Sequence, residues 1–397
     1  MGDILFLSHR VPYPPDRGDK IRGFHILKHL ASRSRVHIAA FADDPRDLRA
    51  KSGLRPFTAS RTVLPRGTSK LRAMSQALLQ GRPASVTAFD DAVMRSAVAA
   101  VLARESIEAI YVFSSQMAQY LPEKTDARVI MDFVDVDSAK FADYAITARW
   151  PLDRLYAREA RLLLAHDRDV ARRVDASLFV SEAEAALFRA RSGAVRVHAV
   201  ENGIDTERFD PDAKFERVVA QGELIVFTGQ MDYPPNVEAV TWFARDILPL
   251  AKARRPEARF AIVGRAPTSE VRALAARDVI VTGEVEDVRG WLAAADAVVA
   301  PLKLARGVQN KVLEAMAMAR PVVASTAAAE GIDHAGTLRT GADAADIAAK
   351  VIALLEDRAA ADALGAAARA RVIARYGWDA ALAPLDALMS PAWQAAA

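Results

Sequence analysis

Short apolar runs alternate with helix-length segments along the whole chain. Typical runs are DILFLS and RVIMDFV in the first half, and ELIVFTG and PVVAS in the second. Each run is continuously apolar rather than alternating, which is typical of strands that are covered on both faces in a parallel sheet. A repeated strand–helix–strand order with right-handed crossovers then predicts an α/β chain built from open, doubly wound sheets.

The strand–helix order restarts near residue 200, after a loop-like stretch that contains VENGIDTERFDPDA. A chain of 397 residues is also long enough for about two domains. The sequence therefore predicts Rossmann-like domains at 1–200 and 201–375, and a short helix within 376–397 that packs back towards the first. Asn202 and Gly203 are interpreted as hinge residues. Because ligands of such sheets bind beyond the carboxyl ends of the strands, two facing domains would hold a ligand in a cleft.

The composition excludes several kinds of site. The chain has no cysteine, which excludes a disulfide scaffold, a thiol nucleophile and a cysteine-bound metal. A net charge of +3 at pH 7 gives no signal for a nucleic-acid partner. No apolar run approaches the ~18 residues of a membrane span, and the run Ile4–Leu7 is too short for a signal peptide. We therefore expect a cytoplasmic protein that is soluble or peripheral at the inner membrane face.

The stretch RGVQNKVLEAMAMARPVVAS predicts an anion-binding helix that begins near Asn310. The free N–H groups and the dipole of a helix start favour an anion, and Lys311 adds a cation in the first turn. Glu314 lies on the same helix face, where a carboxylate suits the two hydroxyls of a ribose. Arg306 precedes the helix. The alternative is a surface Lys–Glu pair that contributes a few tenths of a kcal/mol.

Several motifs together resemble one enzyme family. KVLEAMAMARPVVAS, VENGID with Phe209, and FTGQMDYPPN follow one another as in the retaining GT-B glycosyltransferases of family 4. With MDFVDVDS, they are most similar to sugar transferases of PEP-CTERM/exosortase exopolysaccharide clusters. The resemblance implies a GT-B fold, with two Rossmann-like domains facing across a cleft. It also implies a nucleotide-diphosphate sugar donor held mainly by the second domain, no metal or other cofactor, and transfer with retention to a saccharide or lipid-linked acceptor.

The resemblance also assigns residues and shows departures. Glu314 matches the second acid of the family's Glu-(seven residues)-Glu motif, whereas Arg306 stands where the first acid would be. Gln230 and Asn236 occupy positions that usually carry an Arg and a Lys, which together hold the pyrophosphate. Because a diphosphate needs compensating cations, we infer that Arg306 and Lys311 supply that charge here.

Three glycines follow predicted strands. Gly18 would let the backbone come close to donor phosphate or acceptor, and Gly229 and Gly264 would let it come close to the nucleotide. The alternative at each position is ordinary turn chemistry. The resemblance places the backbone of Val285 beside the base of the donor, which the sequence leaves open among uracil, guanine and adenine.

Three acids, Asp132, Asp135 and Asp137, follow a strand of the first domain. Buried charge is costly, so they are hard to explain as core residues and are candidates for contacting the acceptor. Asp135 would orient the acceptor hydroxyl or serve as its base, and Asp137 is a second catalytic candidate. Helix capping by Asp137 or Ser138 would explain one acid. The D-x-D spacing also matches the metal motif of GT-A glycosyltransferases, a fold that two Rossmann-like halves disfavour.

Basic residues admit two interpretations. Arg17, Lys20 and Arg22 would line the lip beside Gly18, but for Lys20 and Arg22 we favour solvated helix charges. The amphipathic segment 154–174 could contact an anionic membrane that carries the acceptor, but a core-facing helix is favoured. Rival functions are a nucleotide-sugar 2-epimerase of the same fold and a non-catalytic nucleotide-sugar-binding protein.

Overall fold

The computed structural model describes residues 2–15, 18–67, 70–305 and 308–389. These residues form two compact units. One comprises the described residues up to Asn202 together with those from Ala381 onward, and the other is Gly203–Ala380.

The first unit is built on a seven-stranded parallel sheet. Its strands are β1 (Asp3–Ser8), β2 (Val36–Ala42), β3 (Ser60–Pro65), β4 (Ile107–Phe113), β5 (Arg128–Val134), β6 (Ala176–Phe179) and β7 (Val197–Ala199). Their spatial order is β3-β2-β1-β4-β5-β6-β7, with Leu5 opposite His37 and Ile110. The order reverses between β1 and β4, so a crevice is expected at the carboxyl ends of these two strands.

Helices cover this sheet. They are α1 (Gly18–Ala31), α2 (Pro45–Ala50), α3 (Lys70–Gln80), α4 (Ala84–Thr87), α5 (Ala92–Arg104), α6 (Asp137–Thr147), α7 (Leu152–Arg173) and α8 (Glu182–Ser192), with 3₁₀ turns at Lys51–Phe57 and Ser115–Tyr120. The α7 helix buries Leu163 and Val170, which agrees with a core-facing helix. Within the described residues, no helix combines the length and apolarity needed to cross a membrane.

The second unit repeats this architecture with six parallel strands. They are β8 (Glu223–Thr228), β9 (Ala258–Val263), β10 (Val279–Gly283), β11 (Ala297–Ala300), β12 (Val322–Ser325) and β13 (Arg339–Gly341), in the order β10-β9-β8-β11-β12-β13. The helices are α9 (Pro234–Trp242), α10 (Leu248–Arg254), α11 (Ser269–Arg272), α12 (Arg289–Ala294), α13 (Asn310–Ala317), α14 (Thr326–Ala329), α15 (Ala344–Glu356) and α16 (Arg358–Tyr376), with a π-helical segment at Phe243–Ile247. The prediction of two doubly wound Rossmann-like sheets is confirmed.

The last described helix, α17 (Trp378–Met389), contributes contacts within the first unit. Asp386 lies 2.8 Å from His29 Nε2 and accepts a hydrogen bond from Arg33 at 3.0 Å. The backbone oxygen of Leu388 accepts a hydrogen bond from Arg128. The two units divide between Asn202 and Gly203, and a Cβ at Gly203 would lie 2.6 Å from the Trp378 Cα. The hinge role of this pair stays a prediction.

The interpretation of Lys20 and Arg22 as solvated helix charges is wrong. Both side chains are buried, at 3% and 1% exposure. Lys20 donates to Asp47 at 2.7 Å, and Arg22 donates to Asp132 at 2.9 Å. Buried cations of this kind require a paired carboxylate, which the helix spacing alone did not reveal because both partners lie far away in the sequence.

Candidate functional site

The carboxyl ends of β8, β9 and β10 and the start of α13 line a cavity of about 410 Å³ in the second unit. Parallel strands end at one edge of their sheet, so residues from distant parts of the chain meet there. Five predicted residues line the cavity: Gly229, Gly264, Val285, Lys311 and Glu314. The other lining residues are Thr228, Gln230, Asn236, Val263, Arg265, Glu284 and Val288.

The two glycines are required by packing within the cavity wall. Gly264 has φ = 150°, and a Cβ there would overlap the carbonyl oxygen of Gly229. A Cβ at Gly229 would lie 2.8 Å from the Asn236 Nδ2 and 3.0 Å from the Lys311 Nζ. A side chain at position 229 would therefore crowd Lys311, and a side chain at position 264 would displace the Gly229 backbone.

A short hydrogen-bond chain holds Lys311. Its ammonium donates to the Asn236 Oδ1 and lies 4.2 Å from the centre of the Phe227 ring. The Asn236 Nδ2 in turn donates to the backbone oxygen of Gln230 at 2.9 Å. Gln230 and Asn236, which replace the expected cations, thus help to hold Lys311 in place. The Lys311 ammonium has an amide oxygen as acceptor and a cation–π contact with Phe227.

Lys311 and Glu314 both titrate near neutral pH. Burial lowers the pKa of Lys311 to about 8, although the nearby Glu314 carboxylate opposes this shift. Burial raises the pKa of Glu314 to about 7, against the opposing charges of Arg208 and Lys311. Burial therefore penalises both charged forms. An anionic group beside Lys311 and hydroxyl groups beside Glu314 would offset that penalty.

Sequence reasoning missed Arg265 as a cavity residue. It directly follows Gly264, and its Nη2 donates to the Gln230 side chain at 2.8 Å. Its guanidinium is exposed and offers the cavity a second cation beside Lys311. An Arg immediately after a strand-ending glycine was the available signal. The predicted contributors Arg306 and Arg17 lie outside the described residues.

The first unit presents a second polar cluster at the carboxyl end of β1, which the sequence analysis also missed. His9 Nε2 lies 3.4 Å from an Asp19 carboxylate oxygen, and its ring stacks on Phe113 at 5.7 Å. Arg10 pairs with Asp19 and donates to Asp43 at 2.7 Å. Burial disfavours the ionised carboxylate, but the hydrogen bond with His9 and the charge of Arg10 outweigh it and hold the Asp19 pKa well below its usual range. Gly18 opens α1 beside this cluster, and a Cβ there would meet no atom within 4 Å.

The three predicted acids at the end of β5 lie in two different environments. Asp132 is fully buried and accepts hydrogen bonds from Arg22 and from the Tyr111 hydroxyl at 2.7 Å. The expectation that these acids are not core residues is therefore wrong for Asp132. Asp135 and Asp137 are partly exposed and share Lys140, at 2.8 and 3.1 Å.

The proposed capping of α6 by Asp137 or Ser138 is also wrong. Val136 occupies the capping position, and its own amide donates to Glu184 at 2.7 Å.

Val134 has φ = 72° at the end of β5. A β-branched residue in this region is strained, and such strain tends to occur at functional sites. The role of Asp135 and Asp137 towards an acceptor stays a prediction.

The cavity of the second unit falls within a segment that matches a known family. Residues 222–357 match the family model described as "Glycosyl transferases group 1", and all residues that line the cavity lie in this range. A curated relative, the "GDP-mannose-dependent monoacylated alpha-(1-6)-phosphatidylinositol monomannoside mannosyltransferase" of Corynebacterium glutamicum, is 29% identical over 236 residues. The match spans 53% of this chain and 61% of that relative, which is less than two thirds of its length.

Solved structures resemble nearly the whole chain in fold. Anabaena Alr3699/HepE, solved in complex with UDP and glucose, has a TM-score of 0.59 at 16% identity and covers 98% of this chain and 99% of its own. Sucrose-phosphate synthase from Thermosynechococcus elongatus has a TM-score of 0.58 at 18% identity, with full coverage of both chains. At these identities the likeness concerns the fold, which is that of GT-B glycosyltransferases with two parallel-sheet Rossmann-like domains.

Proposed function

We propose that the chain is a glycosyltransferase that moves a sugar from a nucleotide-diphosphate sugar to a saccharide or lipid-linked saccharide, with retention, in exopolysaccharide biosynthesis. The observation that carries this proposal is the meeting of Lys311, Glu314 and two close-packed glycines in one cavity at the ends of three parallel strands. The group 1 family match over the same residues supports it.

In this proposal the second unit holds the donor. Lys311, Arg265 and the free N–H groups of the α13 start compensate the diphosphate, and Glu314 accepts hydrogen bonds from the ribose. These groups stabilise the charge that develops on the departing diphosphate, without a metal ion. The bond between the sugar C1 and the phosphate oxygen breaks as the acceptor oxygen bonds to C1. The acceptor proton passes to the leaving phosphate.

The first unit would hold the acceptor. His9 and Asp135 at the carboxyl ends of β1 and β5 are suited to hydrogen bonds with sugar hydroxyls, because both side chains are partly accessible and each is oriented by a charged or polar neighbour. A cytoplasmic location with peripheral membrane contact would give access to a lipid-linked acceptor.

Thermal shift against UDP, GDP, ADP and their sugars tests donor binding first. All three bases are tested because the base of the donor is not determined. One similar protein was solved with UDP, and another is GDP-mannose-dependent. Lys311→Ala should reduce the shift at a given nucleotide concentration, because it weakens binding. Lys350→Ala is the matched control, because Lys350 belongs to an exposed pair with Asp346 at 3.4 Å on the outside of α15. Equal shifts in both variants would refute the role of Lys311.

Turnover assays then distinguish a transferase from the two alternative functions. Release of free nucleotide only when a saccharide acceptor is present supports a transferase, and NMR of the product's anomeric proton tests retention. Conversion of the donor to a C2 isomer without acceptor would identify a 2-epimerase. Tight binding with neither product nor isomer across an acceptor panel would identify a non-catalytic binding protein.

A further inference from the structure

The amino-terminal edge of the first sheet carries a cluster that the proposed reaction does not use. Ser60 begins β3, His37 is the second residue of β2, and Asp3 begins β1. The order β3-β2-β1-β4 places these strands side by side. His37 is the register partner of Ser60 and of Leu5, and Leu5 lies two residues after Asp3. Because residues two apart on a strand share a face, Ser60, His37 and Asp3 project from the same face of the sheet.

Glu105 joins this cluster from the segment that leads into β4. Asp3 is the register partner of Ile107, and Glu105 precedes Ile107 by two residues. His37 Nε2 lies 3.0 Å from the Asp3 Oδ2 and 4.0 Å from the Glu105 Oε2. One ligand atom from each of these three residues lies within 4.8 Å of the other two. The imidazole thus faces two carboxylates, which come from sequence positions far apart.

We propose that Asp3, His37 and Glu105 bind a divalent first-row transition metal ion, with Zn²⁺ as the fitting example. Metal–ligand distances of about 2.0–2.2 Å in a tetrahedral site place the ligand atoms roughly 3.4 Å apart. The observed separations of 3.0 and 4.0 Å lie on either side of that value, so small side-chain rotations complete the site. A neutral imidazole and two carboxylates balance a divalent charge, and water takes the fourth position.

The environment of His37 matches that of a metal ligand. The side chain is only 1% exposed, and its Nδ1 lies 2.8 Å from the Ser60 Oγ. A ligating histidine usually hydrogen-bonds through its other ring nitrogen, which fixes the orientation of the ring. Ser60 fills that role and leaves Nε2 directed at the two carboxylates.

One cation competes with the metal for the same oxygen. The Arg35 Nη1 lies 3.1 Å from the Asp3 Oδ2, which His37 also contacts. Arg35 is 66% exposed, so its side chain is free to move into solvent when a metal ion arrives. The metal and Arg35 are therefore alternative partners of Asp3, and removing Arg35 should strengthen metal binding.

The site would be structural rather than catalytic. It joins the amino ends of β2 and β1 to the segment before β4, at the edge of the sheet opposite the carboxyl ends that carry His9 and Asp135. Metal binding at native residues raises the free energy of unfolding by mass action. It should not alter the rate of the proposed sugar transfer.

Isothermal titration of the full chain with ZnCl₂, after EDTA treatment and dialysis, tests the site. We expect one Zn²⁺ per chain, a higher melting temperature and no comparable effect of Mg²⁺, whose preferred ligands are oxygens in octahedral geometry. Glu105→Gln should weaken Zn²⁺ binding at least tenfold, and Arg35→Gln should strengthen it. Glu108→Gln is the control, because Glu108 contacts the Gly2 amide and lies outside the cluster.

Two outcomes would overturn the proposal. One is the absence of one-to-one Zn²⁺ binding, and the other is binding that Glu105→Gln leaves unchanged. Glu105 is one-third exposed and precedes the strand, so its substitution should preserve the fold, which circular dichroism of the metal-free variant checks. In either outcome the cluster would be a metal-free hydrogen-bonded pair of His37 and Asp3.

Discussion

If Lys311 binds the donor diphosphate as proposed, its low pKa should make donor binding depend on pH. Burial lowers this pKa to about 8, so the ammonium loses its proton just above neutral pH. A bound diphosphate requires the charged form, and the affinity of the empty protein therefore scales with the charged fraction. This fraction falls from roughly three-quarters at about pH 7.5 to roughly one-tenth at about pH 9. The expected loss of affinity is about eightfold, or about 1.2 kcal/mol.

The other titrating group changes less over this window. Glu314 has a pKa of about 7, so its ionised fraction rises only from roughly three-quarters at about pH 7.5 to nearly one at about pH 9. Below that window, protonation of Glu314 would weaken its acceptance of ribose hydrogen bonds. Affinity should thus pass through a maximum between the two pKa values and fall on both sides.

Isothermal titration with the nucleotide diphosphate at several pH values measures this slope. Lys311→Ala removes the titrating group, so its weaker binding should lose the eightfold decline between pH 7.5 and pH 9. Lys311→Arg keeps a permanent charge and should also give a flat profile. Ionisation of the nucleotide itself is common to all three proteins and cancels. Identical slopes in wild type and Lys311→Ala would refute the reasoning.

Three further changes test separate parts of the structure. Gly264→Ala should destabilise the chain by at least about 2 kcal/mol in urea unfolding, because its Cβ would overlap the Gly229 carbonyl; unchanged stability would contradict this packing. Asp132→Ala should cost about 3–5 kcal/mol by leaving a buried guanidinium unpaired, and a loss under 1 kcal/mol in the same assay would exclude the pairing. Arg265→Gln should raise the donor KM about tenfold with stability unchanged, whereas an unaltered KM would remove Arg265 from the site.

The sequence predicted the fold and the site correctly where a short local pattern determines the structure. Continuous apolar runs predicted both parallel sheets, because strands covered on two faces have no polar alternation. Lys311 and Glu314 are three residues apart on one helix, so helix geometry alone puts them on a common face. The glycines at 229 and 264 follow strands directly, and strand ends share one edge of the sheet. Each of these inferences needs only residues that are neighbours in sequence or elements of one repeated topology.

The misassigned residues Arg22 and Asp132, and the missed residues His9 and Asp19, depend on how separate elements pack. Arg22 and Asp132 are 110 positions apart. The sequence around Arg22 is equally compatible with a guanidinium hydrated by water and with one bonded to a buried carboxylate. His9 and Asp19 belong to a strand end and a helix start whose approach depends on the connecting turn. Their residue types alone do not distinguish a solvated charge from a buried pair, since that difference is set by packing.

The replacement of two expected cations by Gln230 and Asn236 has a physical explanation in the contacts of Lys311. The ammonium of Lys311 donates to the Asn236 side chain inside a cavity that already lowers its pKa. A lysine at position 236 would place a second ammonium where the acceptor oxygen now lies, and the repulsion would lower the pKa of Lys311 further. A lysine at position 236 would therefore disfavour the charged form of Lys311 when no anion is bound. If Lys311 binds the diphosphate as proposed, an uncharged acceptor at position 236 suits its ammonium, and asparagine supplies one.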